Sequence, residues 1–268
     1  ERIQSFTPVI DEIYQGQSKL IRIENRDTRD LNDPMRLGYQ GISHYSSTVD
    51  YEGILFAMRT FGVSQHHYWA RLTDGTPASA ISLFGIEAIL ERYEKWEKPN
   101  VSENPAALPI SFYAPQPIIR NYVYTSDPYE NLNLVFRALS GTDLGAIYNP
   151  LRPEMSSNAE GNIYWDIRAD LTEPVYMYIP RTDIRYNLIE TVDGPREIRV
   201  QSEESFRLGL IGEGENVRVT ADNDASEDGR FFYAENLETL SAYAAVIQPR
   251  GVPVEKVSSS HLRLNLDS

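Results

Sequence analysis

The segment Glu173–Glu190, EPVYMYIPRTDIRYNLIE, shows the alternating pattern that predicts the fold of much of the chain. Val175 and Met177 alternate with Tyr176 and Tyr178, so an extended strand would present aliphatic side chains on one face and tyrosines on the other. A proline ends this run, and a polar turn leads into a second apolar run. Proline has no backbone N–H, so it suits a strand end or an edge. We expect a half-buried strand whose tyrosine face meets another protein.

The chain beyond residue 143 repeats this pattern in short alternating or β-rich runs, up to LSAYAAVIQP at 240–249. Turns containing Gly, Pro, Asn or Asp separate the runs, as in sandwich folds. Two helices precede most of the strands, over 50–61 and over 127–139, and the second has Asp127 as N-cap and Pro128 at its first position. The stretch 80–97 fits either a helix or a strand.

These patterns predict an all-β fold: an eight-stranded antiparallel jelly-roll β-sandwich with two short inserted helices and an extended N-terminal arm. The arm covers residues 1–40, where NRDTRDLNDP shows neither a helical nor a strand period. The jelly-roll domain would span residues 41–250, and residues 251–268 would form a C-terminal tail.

The composition excludes several classes of protein. The 268 residues include no cysteine, which rules out disulfides, thiolate metal sites and a cysteine nucleophile. The formal net charge of −14 disfavours wrapping of nucleic acid and binding to anionic membranes. No apolar run approaches the roughly 20 residues that cross a bilayer, so we expect no membrane span. Seventeen tyrosines indicate a chain rich in interfaces.

Two stretches contain side chains that could bind a metal ion. The pair His66–His67 is poorly suited to one ion, because adjacent side chains point to opposite sides of a helix or strand. The loop DNDASEDG offers Asp222, Asp224 and Asp228 as a weak metal candidate. It lacks the glycine and the final glutamate of an EF-hand, so the alternatives are a looser oxygen site and a solvated acidic loop.

The sequence contains enough carboxylates to form the catalytic pair of a glycoside hydrolase. A glycosidase pair could be drawn from Glu103, Asp166, Glu173 and Asp183, but sequence spacing cannot show that two of them come together. No nucleophile elbow, phosphate loop or zinc-protease motif occurs in the sequence. We therefore predict a protein that is not an enzyme and needs no cofactor.

Four segments, taken in order, resemble the capsid proteins of picornavirus-like insect viruses, the iflavirus and dicistrovirus group. They are Ser47–Gly62, Asp127–Pro150, Glu173–Asn187 and Glu227–Pro249, which resemble an early helix, a helix leading into a strand, a strand ending in proline, and the last hairpin. The resemblance implies a structural major capsid subunit of a small icosahedral positive-strand RNA virus, most like the subunit that surrounds the five-fold axes.

The resemblance also implies partners and a location. The partners would be sibling capsid subunits, the enclosed RNA weakly or indirectly, and a host receptor. The chain would reside in the virion, and in the host cytoplasm during assembly, after cleavage from a polyprotein, which fits its start on Glu1. The interface candidates are Arg22, Arg26, Arg29, Tyr176, Tyr178, Arg181, Arg185 and Tyr186.

Two rival hypotheses belong to other classes. One is a secreted β-sandwich carbohydrate-binding module that uses exposed Trp69, Trp96 or Trp165. The other is a jelly-roll glycoside hydrolase that uses a carboxylate pair.

Overall fold

A computed structural model describes residues 2–15, 19–26, 32–45, 53, 56–66, 69–91, 98–115, 124–168, 172–179, 187–191, 194–198, 204–221, 231–258 and 261–264. Its helices are α1 Arg2–Tyr14, α2 Asp33–Leu37, α3 Phe56–Thr60, α4 Ala78–Leu83, α5 Pro128–Ser140 and α6 Leu237–Ile247. Its strands are β1 Arg22–Asn25, β2 His44–Tyr45, β3 Ser64–His66, β4 Trp69–Arg71, β5 Ile86–Glu91, β6 Asn100–Glu103, β7 Tyr148–Pro150, β8 Glu154–Ser157, β9 Ile163–Arg168, β10 Glu173–Ile179, β11 Asn187–Thr191, β12 Gly194–Ile198, β13 Glu204–Ile211, β14 Asn216–Ala221, β15 Phe231–Glu235, β16 Val254–Ser258 and β17 His261–Leu264.

The fold is mostly β and contains several antiparallel sheets, as the sequence predicts. The two largest have the strand orders β13-β10-β15-β7 and β12-β11-β14-β9-β8, with antiparallel pairing throughout. One hydrophobic cluster takes residues from both, among them Trp165 and Val219 from the second sheet and Met177 and Phe232 from the first. The rings of Trp165 and Phe232 lie 6.5 Å apart. The two sheets therefore bury one face each against the other.

The tyrosine face of β10 is buried by the chain itself. Tyr176 and Tyr178 are only 4% and 2% exposed, and both belong to a second core cluster built with α5 and α6. Tyr129 of α5 lies between them, with ring centroids 6.2 and 6.4 Å away. The prediction of a half-buried strand is therefore wrong, because α5 covers the face that was assigned to a partner protein.

Helix α5 confirms the strongest local prediction. The Asp127 carboxylate accepts hydrogen bonds from the backbone N–H groups of Tyr129 and Glu130, and Pro128 occupies the first turn. Gly141 ends the helix with φ of 71°, a left-handed conformation that glycine adopts without steric cost. The buried face includes Leu132, Val135, Phe136 and Leu139, as their spacing predicts.

The run at 240–249 is not a strand. Residues 237–247 form α6, whose N-cap Asn236 accepts from the backbone N–H of Thr239 at 2.8 Å. Leu240, Tyr243, Ala244 and Ile247 are buried at the three- and four-residue spacing of a helix face. The prediction of a strand is wrong because the apolar residues of this run repeat every three to four residues, as in a helix, and not every two.

The first forty residues are not an extended arm where the structure describes them. They contain α1, β1 and α2, and Phe6, Val9 and Ile10 of α1 pack in a core cluster with Ile23 of β1. Strand β1 runs parallel to β5 in a three-stranded sheet of order β1-β5-β6. The apolar residues of α1 repeat with the period of a helix. The prediction of an arm rested on the polar stretch that follows α1, which shows no such period.

The remaining elements agree with the sequence in part. Helix α3 lies inside the predicted helical stretch 50–61, and the stretch 80–97 contains the end of α4 as well as β5. At the C-terminal end β16 and β17 form a hairpin. The division of the chain at residues 40 and 250 stays a prediction.

Candidate partner-binding groove

A groove of about 750 Å³ lies between α1 and β6. Val9 and Ile13 of α1 form one apolar wall, and Val101 of β6 forms the other. Ala88 of β5 contributes a small side chain to the lining between them. The groove therefore has apolar walls and an open strand at its side.

Packing and one tyrosine fix α1 beside the sheet. Tyr14 donates a hydrogen bond from its hydroxyl to the carbonyl of Ile21 at 3.1 Å and accepts one from the backbone N–H of Gln40 at 3.0 Å. Burial raises the pKa of Tyr14, so this hydroxyl stays protonated at neutral pH. The end of α1 is thereby held to the chain leading into β1.

Charged side chains lie along the same groove. Its lining residues include Glu12, Glu87, Glu103 and Lys98. Lys98 pairs with Glu12 at 3.4 Å, while Lys19 pairs with Glu87 at 2.6 Å. Among the described residues Glu103 forms no ion pair. Exposed pairs of this kind contribute little stability, so an incoming charged ligand can replace them at small cost.

Strand β6 leaves half of its backbone groups unused within the described sheet. It pairs with β5 on one side, and the bond from Asn104 N to Glu87 O at 2.8 Å sets the alternation of the ladder. In an antiparallel ladder alternate residues bond to the neighbouring strand. Asn100 and Ser102 therefore face β5, while the N–H and C=O groups of Val101 and Glu103 point outward.

A second cavity of about 550 Å³ shares Glu87, Asn104 and Pro105 with the groove. It extends the depression toward residues 248–254. Gln248 donates from its side-chain nitrogen to the carbonyls of Pro105 and Ala107 at 2.8 and 3.0 Å. These bonds hold the loop after β6 in place.

A buried carboxylate anchors the strand next to α1. Glu24 of β1 is fully buried and accepts from the backbone N–H groups of Ile42 and Ser43 and from the Ser43 hydroxyl at 2.7 Å. Burial raises the pKa of Glu24, while the hydrogen bonds oppose the shift. A Cβ at Gly41 would come within 2.8 Å of this carboxylate, so the loop can approach only as glycine.

The predicted interface arginines in β1 and just after it have partners within the chain. Arg22 donates to the carbonyl of Phe84 at 2.6 Å, and burial lowers its pKa. Arg26 forms an ion pair with Glu91 at 2.5 Å. These contacts join β1 to β5 and to the turn before it, and leave the two guanidinium groups engaged inside the chain.

The carboxylates proposed for a hydrolase are spread over different sheets. Glu103 lies on β6 and Glu173 begins β10, while Asp166 on β9 accepts two bonds from Arg218 at 2.7 and 2.8 Å. Those bonds lower the pKa of Asp166. In the described part of the chain no group of three or more metal-ligating side chains occurs.

The tryptophans do not form a common platform among the described residues. Trp165 is buried between the sheets, and Trp69 on β4 carries the Arg71 guanidinium 5.2 Å from its ring centre. Several predicted residues lie outside the described residues: Arg29, His67, Trp96, Arg181, Asp183, Arg185, Tyr186, Asp222, Asp224 and Asp228, together with the side chain of His66.

Residues 2–268 match the family model described as "Bacterial membrane protein YfhO". The chain belongs to this family. No helix in the described part of the chain combines the length and apolar character needed to cross a membrane.

Two solved structures share weak similarity with part of the chain. A cupin domain from Bordetella pertussis Tohama I is 15% identical, covers 32% of this chain and 88% of its own, and has a TM-score of 0.16. A protein from Photorhabdus luminescens is 14% identical over 37% of this chain and 81% of its own, with a TM-score of 0.19. No curated protein matches the chain.

The bacterial family overturns the viral interpretation. The chain is not a capsid subunit, so the predicted sibling subunits, RNA genome, virion location, host cytoplasm and polyprotein origin are wrong. The carbohydrate-binding module and the glycoside hydrolase are also unsupported. The order of helices and β-rich runs indicates an architecture, and one architecture serves many unrelated functions.

Proposed function

We propose that this chain is a water-facing domain of a bacterial membrane protein, and that it binds a partner in the groove between α1 and β6. The observation that carries the proposal is that the outer edge of β6, which no described strand pairs with, runs along a groove lined by both apolar and charged residues. Sites that bind other molecules combine concave apolar walls with a few polar groups that fix orientation. We assign binding to the chain and no reaction.

We also propose a jelly-roll topology for the two facing sheets. If β8 is taken as an added edge strand, eight strands remain from β7 to β15. In chain order the first, eighth, third and sixth are neighbours in one sheet, and the second, seventh, fourth and fifth are neighbours in the other. This order supports two interleaved Greek keys, the arrangement of a jelly roll. The roll would span residues 148–235 and leave α1 to α4 outside it.

The packing of the two large sheets supports a binding role for the small sheet β1-β5-β6, which lies outside them in the chain order. Both faces of the four-stranded sheet are buried, one against the five-stranded sheet and one against α5 and α6. The groove belongs instead to the small sheet β1-β5-β6, whose strand β6 is exposed at all four positions. A scaffold that places an open strand beside a groove is suited to presenting a docking edge.

Site-specific photocrosslinking in bacterial membranes tests this proposal. A photoreactive amino acid replaces Val101 on β6 in one variant and Met155 on β8 in a matched control; the two side chains are 43% and 51% exposed. We expect a discrete adduct from position 101 in the membrane fraction, no equivalent adduct from position 155, and loss of the first adduct when Ile13→Asp fills the groove with charge. Equal labelling from both positions, or an adduct indifferent to Ile13→Asp, would overturn the proposal.

A further inference from the structure

We infer that the occupant of the groove is an extended peptide segment with basic side chains, which adds to β6 as a further strand. This inference rests on the proposed function and names the chemistry of the partner. Strand addition uses main-chain hydrogen bonds for affinity and side-chain pockets for specificity.

The backbone of β6 supplies the first part of the argument. Val101 and Glu103 direct their N–H and C=O groups away from β5, on the side where the described structure places no strand. Both residues also line the groove. A peptide lying in the groove would therefore meet outward donors and acceptors two residues apart, which is the spacing of a strand ladder.

The walls of the groove supply the second part. Val9 and Ile13 stand one helical turn apart on α1 and face the space beside β6 together with Ala88. An added strand points alternate side chains to opposite faces. Every second residue of the peptide could then contact this apolar wall, while the residues between them reach the solvent side.

The charges identify the class of peptide. Glu12, Glu87 and Glu103 outnumber Lys98 in the lining of the groove, and the whole chain carries a formal charge of −14. Lysine or arginine side chains of a peptide can take over the exposed carboxylates from Lys19 and Lys98. Complementary charge raises the association rate and selects against acidic competitors.

The outer edge of β8 provides a contrasting strand in the same molecule. Among the described strands β8 pairs only with β9, and all four of its residues are exposed. The bond from Asn158 N to Asn162 O sets its ladder so that Met155, like Val101, points its backbone groups outward. The groove lining includes residues of β6 and none of β8, so β8 serves as the matched control.

The test is a titration of the full chain with a labelled ten-residue peptide of alternating Lys and Val, followed by fluorescence anisotropy. Val101→Pro removes an outward N–H without breaking the ladder to β5. We expect Val101→Pro to weaken binding by about tenfold, as loss of a backbone bond implies. Met155→Pro should change binding by less than about twofold. Equal effects of the two prolines would overturn the inference.

Two further arms keep the test decisive if Val101→Pro fails to fold. A peptide of the same sequence with every backbone nitrogen methylated should lose binding to the unmodified chain, because it keeps its charged side chains but has no backbone N–H donors. Glu103→Lys should weaken the Lys–Val peptide and leave a Glu–Val peptide no weaker. The inference would be overturned if the methylated peptide bound the unmodified chain fully. It would also be overturned if the unmodified chain bound the Glu–Val peptide as tightly as the Lys–Val peptide.

The inference and the proposed function fail separately. If position 101 crosslinks in membranes but the Lys–Val peptide does not bind, the groove has a different occupant and only the inference falls. If the chain dimerises in sedimentation experiments and Val101→Pro abolishes the dimer, the occupant is a second copy, which also overturns the inference. If position 101 gives no specific adduct, the proposed function falls as well.

Discussion

The hydroxyl of Tyr233 donates a hydrogen bond to Oδ2 of Asp127 at 2.6 Å, across 106 residues of sequence. The other oxygen of the same carboxylate caps α5. One side chain therefore both starts the helix and joins it to β15 of the four-stranded sheet. Burial raises the pKa of Asp127, and burial together with the bond to Asp127 raises the pKa of Tyr233.

We predict that Asp127→Ala lowers the free energy of unfolding by about 2–4 kcal/mol, measured by denaturant unfolding. A lost N-cap costs about 1 kcal/mol, and an orphaned buried hydroxyl costs about 1–3 kcal/mol. In a Tyr233→Phe background the same substitution should cost only the cap, about 1 kcal/mol. An equal cost in both backgrounds would show that the bond between the two residues contributes nothing.

The buried carboxylate of Glu235 predicts a pH dependence. It accepts hydrogen bonds from the backbone N–H of Ser79 at 3.1 Å and from the hydroxyl of Tyr148, and burial raises its pKa despite these bonds. A carboxyl with a raised pKa binds its proton more tightly in the folded state. Its stabilising contribution is therefore complete below the unfolded pKa of roughly 4.3 and is lost as the pH rises through the folded pKa.

Glu235→Gln removes this ionisation and keeps an accepting oxygen. We expect the stability of the unmodified chain, relative to Glu235→Gln, to fall as the pH rises from about 4.5 to 8. Urea unfolding at several pH values measures the difference. Glu24→Gln should show the same direction, since burial also raises the pKa of Glu24. A relative stability that is constant, or that increases with pH, would refute the assignment for the variant concerned.

Asn131 of α5 is fully buried and holds the segment before the helix. Its side-chain nitrogen donates to the carbonyls of Thr60 and Thr125 at 3.1 and 3.0 Å, and its oxygen accepts from Thr125 N at 2.9 Å. Asn131→Asp places an acceptor against two carbonyls and should cost about 3 kcal/mol or more. Asn131→Ala removes the bonds without that repulsion, so thermal unfolding should show a smaller loss for alanine than for aspartate. The reverse order would contradict this orientation of the amide.

Gly75 lies against the backbone of β13. A Cβ at this position would approach the carbonyl oxygen of Ser205 to 2.0 Å, so Gly75→Ala requires the backbone to move. We predict a loss of about 1–3 kcal/mol in the free energy of unfolding, the usual cost of overpacking. Gly214 has φ of 79° and open space around it, which asparagine tolerates, so Gly214→Asn is the control with a cost below about 1 kcal/mol. Equal costs would mean that the close approach is relieved without strain.

Local signals predicted some elements well. Asp127 followed by Pro128 fixed the start of α5, because capping chemistry acts within one turn of the helix. The alternation in Val175–Ile179 correctly indicated β10, but alternation gives no information about what covers each face. The tyrosine face faces α5, which is distant in sequence, so its burial could not be read from β10 alone.

The groove could not be predicted from local pattern, because 85 residues separate the end of α1 from the start of β6. The available signal was the spacing of Phe6, Val9, Ile10 and Ile13, which marks an amphipathic helix where an arm was expected. Orientation of the outward groups on β6 depends on the ladder to β5, which only the pairing register supplies. The capsid interpretation is wrong because an order of helices and strands identifies a fold and does not identify a functional site.

The most direct test of strand addition is residue-resolved amide hydrogen exchange, measured by NMR with and without the Lys–Val peptide. In the free chain Asn100 and Ser102 should exchange slowly, since β5 accepts their N–H groups, while Val101 and Glu103 exchange fast. On peptide binding we predict new protection at Val101 and Glu103 and no change at Met155. Binding that leaves the amides of Val101 and Glu103 exchanging as fast as before would contradict the account.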